Sequence, residues 1–445
     1  MIGNLAKKPI FYGWVVVAVA FVCMALGYAV MHSFSIFFVA IYTDFGWSRA
    51  TTALASSIFM IMYGLVAPLT GAGVDRFGPR VVIPIGAVVM ALGLFATNLV
   101  SEPWHLYLTY GVIAAVGLNA VGTVPNVAVL TNWFAQRRGT ALGFAAAGIG
   151  VGMLVVVPAL QWIINLAGWR TAYVALGAVV LLVIPALAIA FHRHRPEDMG
   201  LAHDGAQPGA GPAAGSPVPQ MKVVDPAWAN HPWDVRSAVS TGRFWLLFLG
   251  FLFGSLALQS VMVHQVAFLA DRQFDPMLGA TIVALVGLFG SLGKILWGWL
   301  SDRIGREGAY TAGMICISLG VLALASVVDV SQPWPAYLYT LVFGIGYGVF
   351  APLMPSTAAD VFQGKRFGSV YGVLYIGCGA GSALGPWLSG FIFDLTGGYT
   401  PAFAMAIATA GLSAGGYWLA APRKVRHVPG FAKRQEASVS VTGNR

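Results

Sequence analysis

The sequence predicts an all-α integral membrane protein, with twelve transmembrane helices in two pseudo-symmetric six-helix bundles. Three observations carry that expectation. Only 9% of the 445 residues are charged and 58% are hydrophobic, whereas soluble globular proteins carry about 25% charged residues. Apolar runs of about 20 residues, long enough to cross roughly 30 Å of hydrocarbon, recur along the chain. A glycine–aspartate–arginine pattern also occurs twice, 227 residues apart.

The runs begin near residues 12, 50, 80, 105, 139 and 170, and again near 243, 277, 308, 334, 367 and 399. The first, from Tyr12 toward Phe38, is too long for a removable secretion signal and reads as a span. An even number of spans places both termini on one side. That side collects Arg76, Arg80, Arg137, Arg138, Arg303, Arg306, Lys365, Arg366 and the basic C-terminal cluster, while the opposite loops hold Arg49, Arg170 and Arg272. The positive-inside rule therefore predicts a multi-pass protein of the cell (inner) membrane with both termini cytoplasmic. By the same distribution, the net charge of +9 is a topology signal and not a nucleic-acid footprint.

Between His192 and Gly242 the character changes to a stretch rich in Pro, Gly and Ala, which suits a flexible linker. The expected organisation is a first bundle over 1–191, a linker over 192–242, a second bundle over 243–421 and a tail over 422–445. Within the linker, WDVRSAVSTGRF has two readings: a short amphipathic helix on the membrane surface, or an irregular approach to the seventh span.

The two sides of the linker repeat. GAGVDRFGPR follows the second span and GWLSDRIGRE the eighth, so Gly71, Asp75, Arg76 and Gly78 are answered by Gly298, Asp302, Arg303 and Gly305, with Arg306 answering Arg80 one residue early. A second echo pairs FAQRRG with FQGKRFG, and GWRTAY with GYTPAF. Equivalent helix ends in both halves imply related bundles with a cavity between them at the bilayer midplane. At each copy the Gly permits close helix approach, the Asp accepts from a neighbouring helix N-terminus, and the Arg charges stay at the headgroups.

The doubled motif resembles the signature loop of the major facilitator superfamily. The resemblance implies a latch role in alternating access for Asp75, Arg76, Arg80, Asp302, Arg303 and Arg306. WFAQRRGTALGFAAAGIGVG over 133–152 is similar to the fifth-helix signature of monocarboxylate transporters, and FGWSRA to the oxalate/formate antiporter group. FYGWVVVAVAF resembles the aromatic-glycine opening of the former, without its acidic residue.

Lys294 is the residue that points to cargo. It lies eight residues before Asp302, about 12 Å along a helix, in an otherwise uncharged stretch. Snorkelling to the headgroups is one reading, at marginal reach; an intramembrane functional charge is the other. Gly287, Gly290 and Gly298 share its helical face and are expected to leave open volume around the amine. No Asp or Glu falls near the middle of any span, so an anion from outside is the expected partner. In the families that it resembles, an arginine at the position of Lys294 binds the substrate carboxylate. Lys is a point charge that can lose its proton, which favours proton coupling over planar two-pronged recognition. The resemblance also places Cys378 where the oxalate antiporter has a second lysine, and Gly290 where animal relatives have an aspartate.

Asn119, Tyr375, Tyr347, Tyr371 and Tyr28, together with Tyr63 and Asn126, are candidate donors to the cargo, or else make helix-to-helix hydrogen bonds. His264 and His32 are candidate proton relays beside Lys294, or packing residues. Cys23, Cys316 and Cys378 lack paired spacing and read as small packing residues. No metal or cofactor is expected, and the absence of G-x-x-x-x-G-K-[ST] argues against ATP as energy source. No catalytic acid pair or Ser-His-Asp arrangement speaks for an enzyme.

The expected function is secondary transport of a small monocarboxylate, lactate- or pyruvate-like, with a proton, by alternating access. The alternatives are an oxalate/formate-type anion exchanger and an exporter of an amphipathic compound. An anion channel is a rival class. The expected partners are the organic anion, the proton and the lipid bilayer, with the chain working as a monomer and without nucleic acid.

Overall fold

The computed structural model describes residues 11–134, 138–193, 196–201, 222–363 and 367–427. Among them, eleven helical segments are long and apolar enough to cross a membrane. The segment Ala141–Phe191 has 51 residues, about 76 Å at 1.5 Å per residue, more than twice a bilayer's hydrocarbon. It turns back at Gly168, where φ is 82° and ψ is 165°, a conformation that favours glycine. That turn divides it into two passes and brings the total to twelve.

We number the passes α1 (Gly13–Phe45), α2 (Arg49–Val74), α3 (Pro79–Thr97), α4 (Pro103–Leu130), α5 (141–167), α6 (169–191), α7 (Gly242–Asp271), α8 (Pro276–Ile304), α9 (Arg306–Ala325), α10 (Trp334–Phe362), α11 (Ser369–Thr396) and α12 (Thr400–Ala420).

Three passes are interrupted. The first breaks at Ser33, between Gly13–His32 and Phe34–Phe45. α4 breaks at Gly122, with φ −79° and ψ −139°. Three residues on, Pro125 has no N–H to offer the Val121 carbonyl; Asn126 Nδ2 donates to both Val121 O and Gly122 O, at 2.7 Å each. α10 breaks after Tyr347, around Gly348. There Val349 N–H turns to Gly346 O, and Ile345 O accepts from Trp297 Nε1 at 2.7 Å. Gly348 lies 226 residues after Gly122, so the interruptions repeat within one residue of the motif's own offset.

The two sets of six passes meet at one face and part at the other. Where α5 crosses α8, a Cβ on Gly150 would run into Ser291 Oγ and the Gly287 carbonyl. Two turns along the same side of α5, Gly143 has open space beside it. α2 and α11 behave alike: Gly390 packs on the backbone of Arg49 and Ala50, whereas Gly64, Gly379 and Gly372 further along have nothing within 4 Å. The cleft is therefore sealed on the face bearing Arg49 and open toward the face bearing the chain ends, which we call the terminal face.

The linker departs from expectation in its second part. Residues 222–241 are docked on the second set of passes. Strand β1 (Lys222–Val223) pairs antiparallel with β2 (Arg426–His427). Trp228 Nε1 donates to Val361 O at 2.8 Å, and Trp233 packs on Phe362. The helix Val235–Val239 is capped by Asp234, whose carboxylate accepts from Ser237 N–H. Tail residues as far as His427 share this packing through Arg426, which donates to Ala359 O and Asp360 O. The tandem tryptophans supply apolar area that a flexible linker would not need.

Candidate functional site

Lys294 sits on α8, one turn toward the terminal face from the α5 crossing at Ser291. Among the described residues it has no acidic partner; its Nζ lies 5.5 Å from the ring centroid of Tyr347. The expectation of open volume at its glycines needs correction. Gly287 packs against Met153 and Gly290 against the Tyr347 ring, and of the three only Gly298 could take a Cβ without a clash, at ordinary van der Waals distance, 3.7 Å, from Pro352. Glycine here permits close helix packing instead of leaving a void.

Opposite Lys294, the first set of passes offers a linked polar group. Tyr28 Oη lies 2.7 Å from Tyr63 Oη and 2.5 Å from Thr123 Oγ1. His32 stacks on Tyr28, with ring centroids 6.4 Å apart, and meets Tyr347 edge-on at 6.4 Å. The imidazole is also within electrostatic reach of the Lys294 ammonium. The structure thus gathers Tyr28, His32, Tyr347 and Lys294 from α1, α10 and α8 at one level of the cleft.

On α11, Tyr371 and Tyr375 stand one turn apart, with centroids 5.8 Å from each other, and Tyr375 is 45% exposed. Beside them Cys378 Sγ accepts from Ser255 Oγ at 3.0 Å. At this position the protein holds a neutral donor–acceptor set.

Two sequence candidates have other jobs. Asn119 is fully buried and its Nδ2 donates to Tyr63 O at 2.6 Å, so it fixes the α2–α4 packing and does not line the cleft. His264 is also fully buried, with Nδ1 2.8 Å from Tyr399 Oη and Nε2 2.8 Å from Pro386 O. Both ring nitrogens are engaged at the sealed face, away from Lys294.

That sealed face is a site the sequence reading passed over. Arg49 is 8% exposed, and its fork donates to both carboxylate oxygens of Asp271 on α7 and to Tyr399 Oη at 2.7 Å. Phe393 lies under the guanidinium at 3.8 Å. Asp394 of α11 accepts the Arg49 and Ala50 N–H groups at 3.1 and 2.9 Å, capping the N-terminus of α2. The signal available in the sequence was a basic residue outnumbered by acids near the same helix ends. Nearby, a cleft of about 370 Å³ lined by α1, α5, α7 and α8 residues includes Asp44, Gln161 and Gly279. Gly279 precedes Lys294 by fifteen residues, about 22 Å, so this cleft is separate from the lysine's surroundings.

At the terminal face the latch candidates bond within their own set of six passes. Arg306 donates from Nε to Asp360 at 3.0 Å and from Nη1 to Asp302 at 2.8 Å. Arg80 donates to Ile189 O, Arg303 lies over Trp299, and Arg76 over Phe77. The Asp75 side chain and residue Arg137 fall outside the described residues, as does the Arg138 side chain.

Two sets of six apolar passes around a polar cleft, sealed at one face and open at the other, define a membrane transporter. The chain belongs to the Major Facilitator Superfamily, whose profile matches residues 17–358 and 291–443. Within it the chain is homologous to monocarboxylate transporters. It is 28% identical over 397 residues to monocarboxylate transporter 13 of Rattus norvegicus, covering 89% of this chain and 86% of that one. It is 28% identical over 402 residues to monocarboxylate transporter 11 of Homo sapiens, covering 89% and 80%. Among solved structures, it resembles a bacterial homologue of the human lysosomal transporter Spinster in an inward-facing, unoccupied conformation, with a TM-score of 0.68 at 18% identity over 94% of this chain and 98% of that one. The nucleoside transporter NupG superposes with a TM-score of 0.68 at 14% identity, over 92% and 99%. At such identities the superpositions bear on the fold alone.

Proposed function

We propose that this transporter carries a small monocarboxylate together with a proton by alternating access, across a cell inner membrane with both chain ends cytoplasmic. One observation carries the reading: a lysine amine lies deep between the helices, at the level where the two halves meet, with no acid beside it among the described residues. A charge at such depth costs on the order of 3 kcal/mol even on lenient scales, and an incoming carboxylate offsets that cost. Opening of the cleft toward the terminal face gives cargo a route to the amine. The neutral pair of Ser255 on α7 and Cys378 on α11 supplies no second cation, which favours one carboxylate over the two of an oxalate-type substrate. The names of the relatives point the same way. A lysine that returns without its proton after releasing an acid makes symport the simplest cycle.

The test is pH-resolved uptake of labelled short carboxylates into proteoliposomes. We expect saturable uptake and counterflow, which a channel cannot give, and loss of both in Lys294→Ala. Normal uptake by a correctly inserted Lys294→Ala protein would refute the reading.

A further inference from the structure

We propose that the face of the Tyr347 ring is the resident partner of the Lys294 ammonium, and that Gly290 is a glycine because this ring needs its place. The inference rests on the reading that Lys294 meets the cargo carboxylate, and it gives Tyr347 a positioning role in place of the hydroxyl-donor role expected above.

Side chains on a helix lean toward its N-terminus. For α8 that end is the sealed face, so the Lys294 stem leans away from the terminal-face headgroups. There its Nζ stands 5.5 Å from the Tyr347 centroid, inside the roughly 6 Å range of cation–π attraction. The ring has little freedom to leave. Tyr347 is the last residue before the α10 interruption, and the next residue, Gly348, lies against the backbone of Gly293 and Lys294. One turn before Lys294 on the same helix, the ring also covers Gly290, where a Cβ would meet Tyr347 Cδ1 at 2.5 Å and Cε1 at 3.0 Å. Any side chain at 290 would push it off the amine.

The chemistry suits a carrier that must stay ready for an anion. A carboxylate partner would neutralise the lysine and compete with cargo. A ring quadrupole attracts the ammonium without cancelling its charge, so the amine is oriented while the charge stays available. His32 of α1 meets the same ring edge-on, so this holder touches both halves of the molecule.

The experiment measures KM and Vmax in proteoliposomes for Tyr347→Phe, Tyr347→Leu and Gly290→Ala, with whichever of labelled pyruvate, lactate, formate and acetate the native protein takes up fastest. Tyr347→Phe keeps the face, and we expect its KM within about twofold of the native value. Tyr347→Leu keeps bulk without the face, and we expect KM to rise about tenfold, as loss of a desolvated cation–π contact predicts, with Vmax little changed. Gly290→Ala should shift KM in the same direction. A Phe variant as impaired as the Leu variant would assign the role to the hydroxyl and overturn the inference; so would a Leu variant with native KM. If Tyr347→Leu does not insert, the Phe and Gly290 variants decide. Loss of uptake in Lys294→Ala beside a native-like Tyr347→Leu sinks this inference alone, whereas normal uptake in Lys294→Ala, or no uptake of any labelled short carboxylate by the native protein, removes the carboxylate reading beneath it.

Discussion

Lys294, half-buried, and His192, fully buried, show how differently two bases can be handled. The lysine keeps a ring beside it and, on our reading, awaits an anion. Replacing it by Arg should preserve carboxylate binding, since guanidinium remains charged, but flatten the dependence of uptake on pH. Replacement by Ala should lower uptake by about a hundredfold or more, the scale expected when one partner of a desolvated charge pair is removed. Initial rates between pH 5 and 8 test both. His192 follows the last residue of α6, is fully buried, and among the described residues has no hydrogen-bond partner at either ring nitrogen. Burial, and then the nearby Arg80 charge, push its pKa from 6.5 down to about 4. The folded state thus holds the neutral ring, while the unfolded chain binds a proton below about 6.5. Its contribution to stability is therefore present above pH 6.5 and lost as pH falls toward 4. Thermal unfolding in detergent should show a Tm that declines from pH 7 to pH 5, and His192→Phe should flatten that decline.

Between helices, a charged joint ties the two halves at the sealed face. Arg49 binds Asp271 and Tyr399, and Asp394 caps α2, so two acids from the second half hold one helix end of the first. In the proposed cycle, opening that face would break all of these contacts together, so the joint would act as a two-state element. Asp271→Asn removes the ion pair but keeps the size of the side chain, leaving a buried guanidinium short of a counter-charge, which costs several kcal/mol. The expected outcome is a shift toward the state open on that face. Thiol labelling of Ala50→Cys by an impermeant reagent, in a background without the three native cysteines, should accelerate by about tenfold. An unchanged labelling rate would show that the joint does not govern opening. The interruptions in α1, α4 and α10 belong to the same scale. They place Tyr28, Thr123 and Tyr347 around the cleft, and Asn126 and Trp297 satisfy the carbonyls freed there.

For the molecule as a whole, the alternating-access cycle that we propose requires the terminal face to close when the opposite face opens. We propose the paired motifs as the sites of that closure. In the present state Asp302 and Asp360 share Arg306 within one half, so the carboxylates are kept near the parting without bridging it. Asp302→Asn should therefore reduce Vmax by several-fold and leave KM nearly unchanged in proteoliposome uptake. A pure change in KM would mean that the residue acts on binding instead.

Much of this architecture was legible from residue order. Twelve passes, the repeat and the central lysine follow from hydropathy and from a motif fixed by helix-end chemistry, because a bilayer restricts a chain to spans of one length and a few ways of ending them. Side-chain roles were less legible. Asn119 and Tyr347 occupy equivalent places in the repeat, yet one anchors a neighbouring helix and the other stands beside the cleft. His264 has the composition of a relay residue but the bonding of a strut. The Pro- and Gly-rich linker hides two tryptophans whose partners, Val361 and Phe362, lie more than 120 residues away.

By itself the sequence determined that the protein lives in a membrane, is built twice over, and keeps one positive charge where hydrocarbon should be. Only the tertiary structure decided which face is shut, what stands next to that charge, and which glycines are spaces and which are contacts. The physical reason is that spans are dictated by local hydrophobicity, whereas gates and binding sites arise where side chains from distant helices meet.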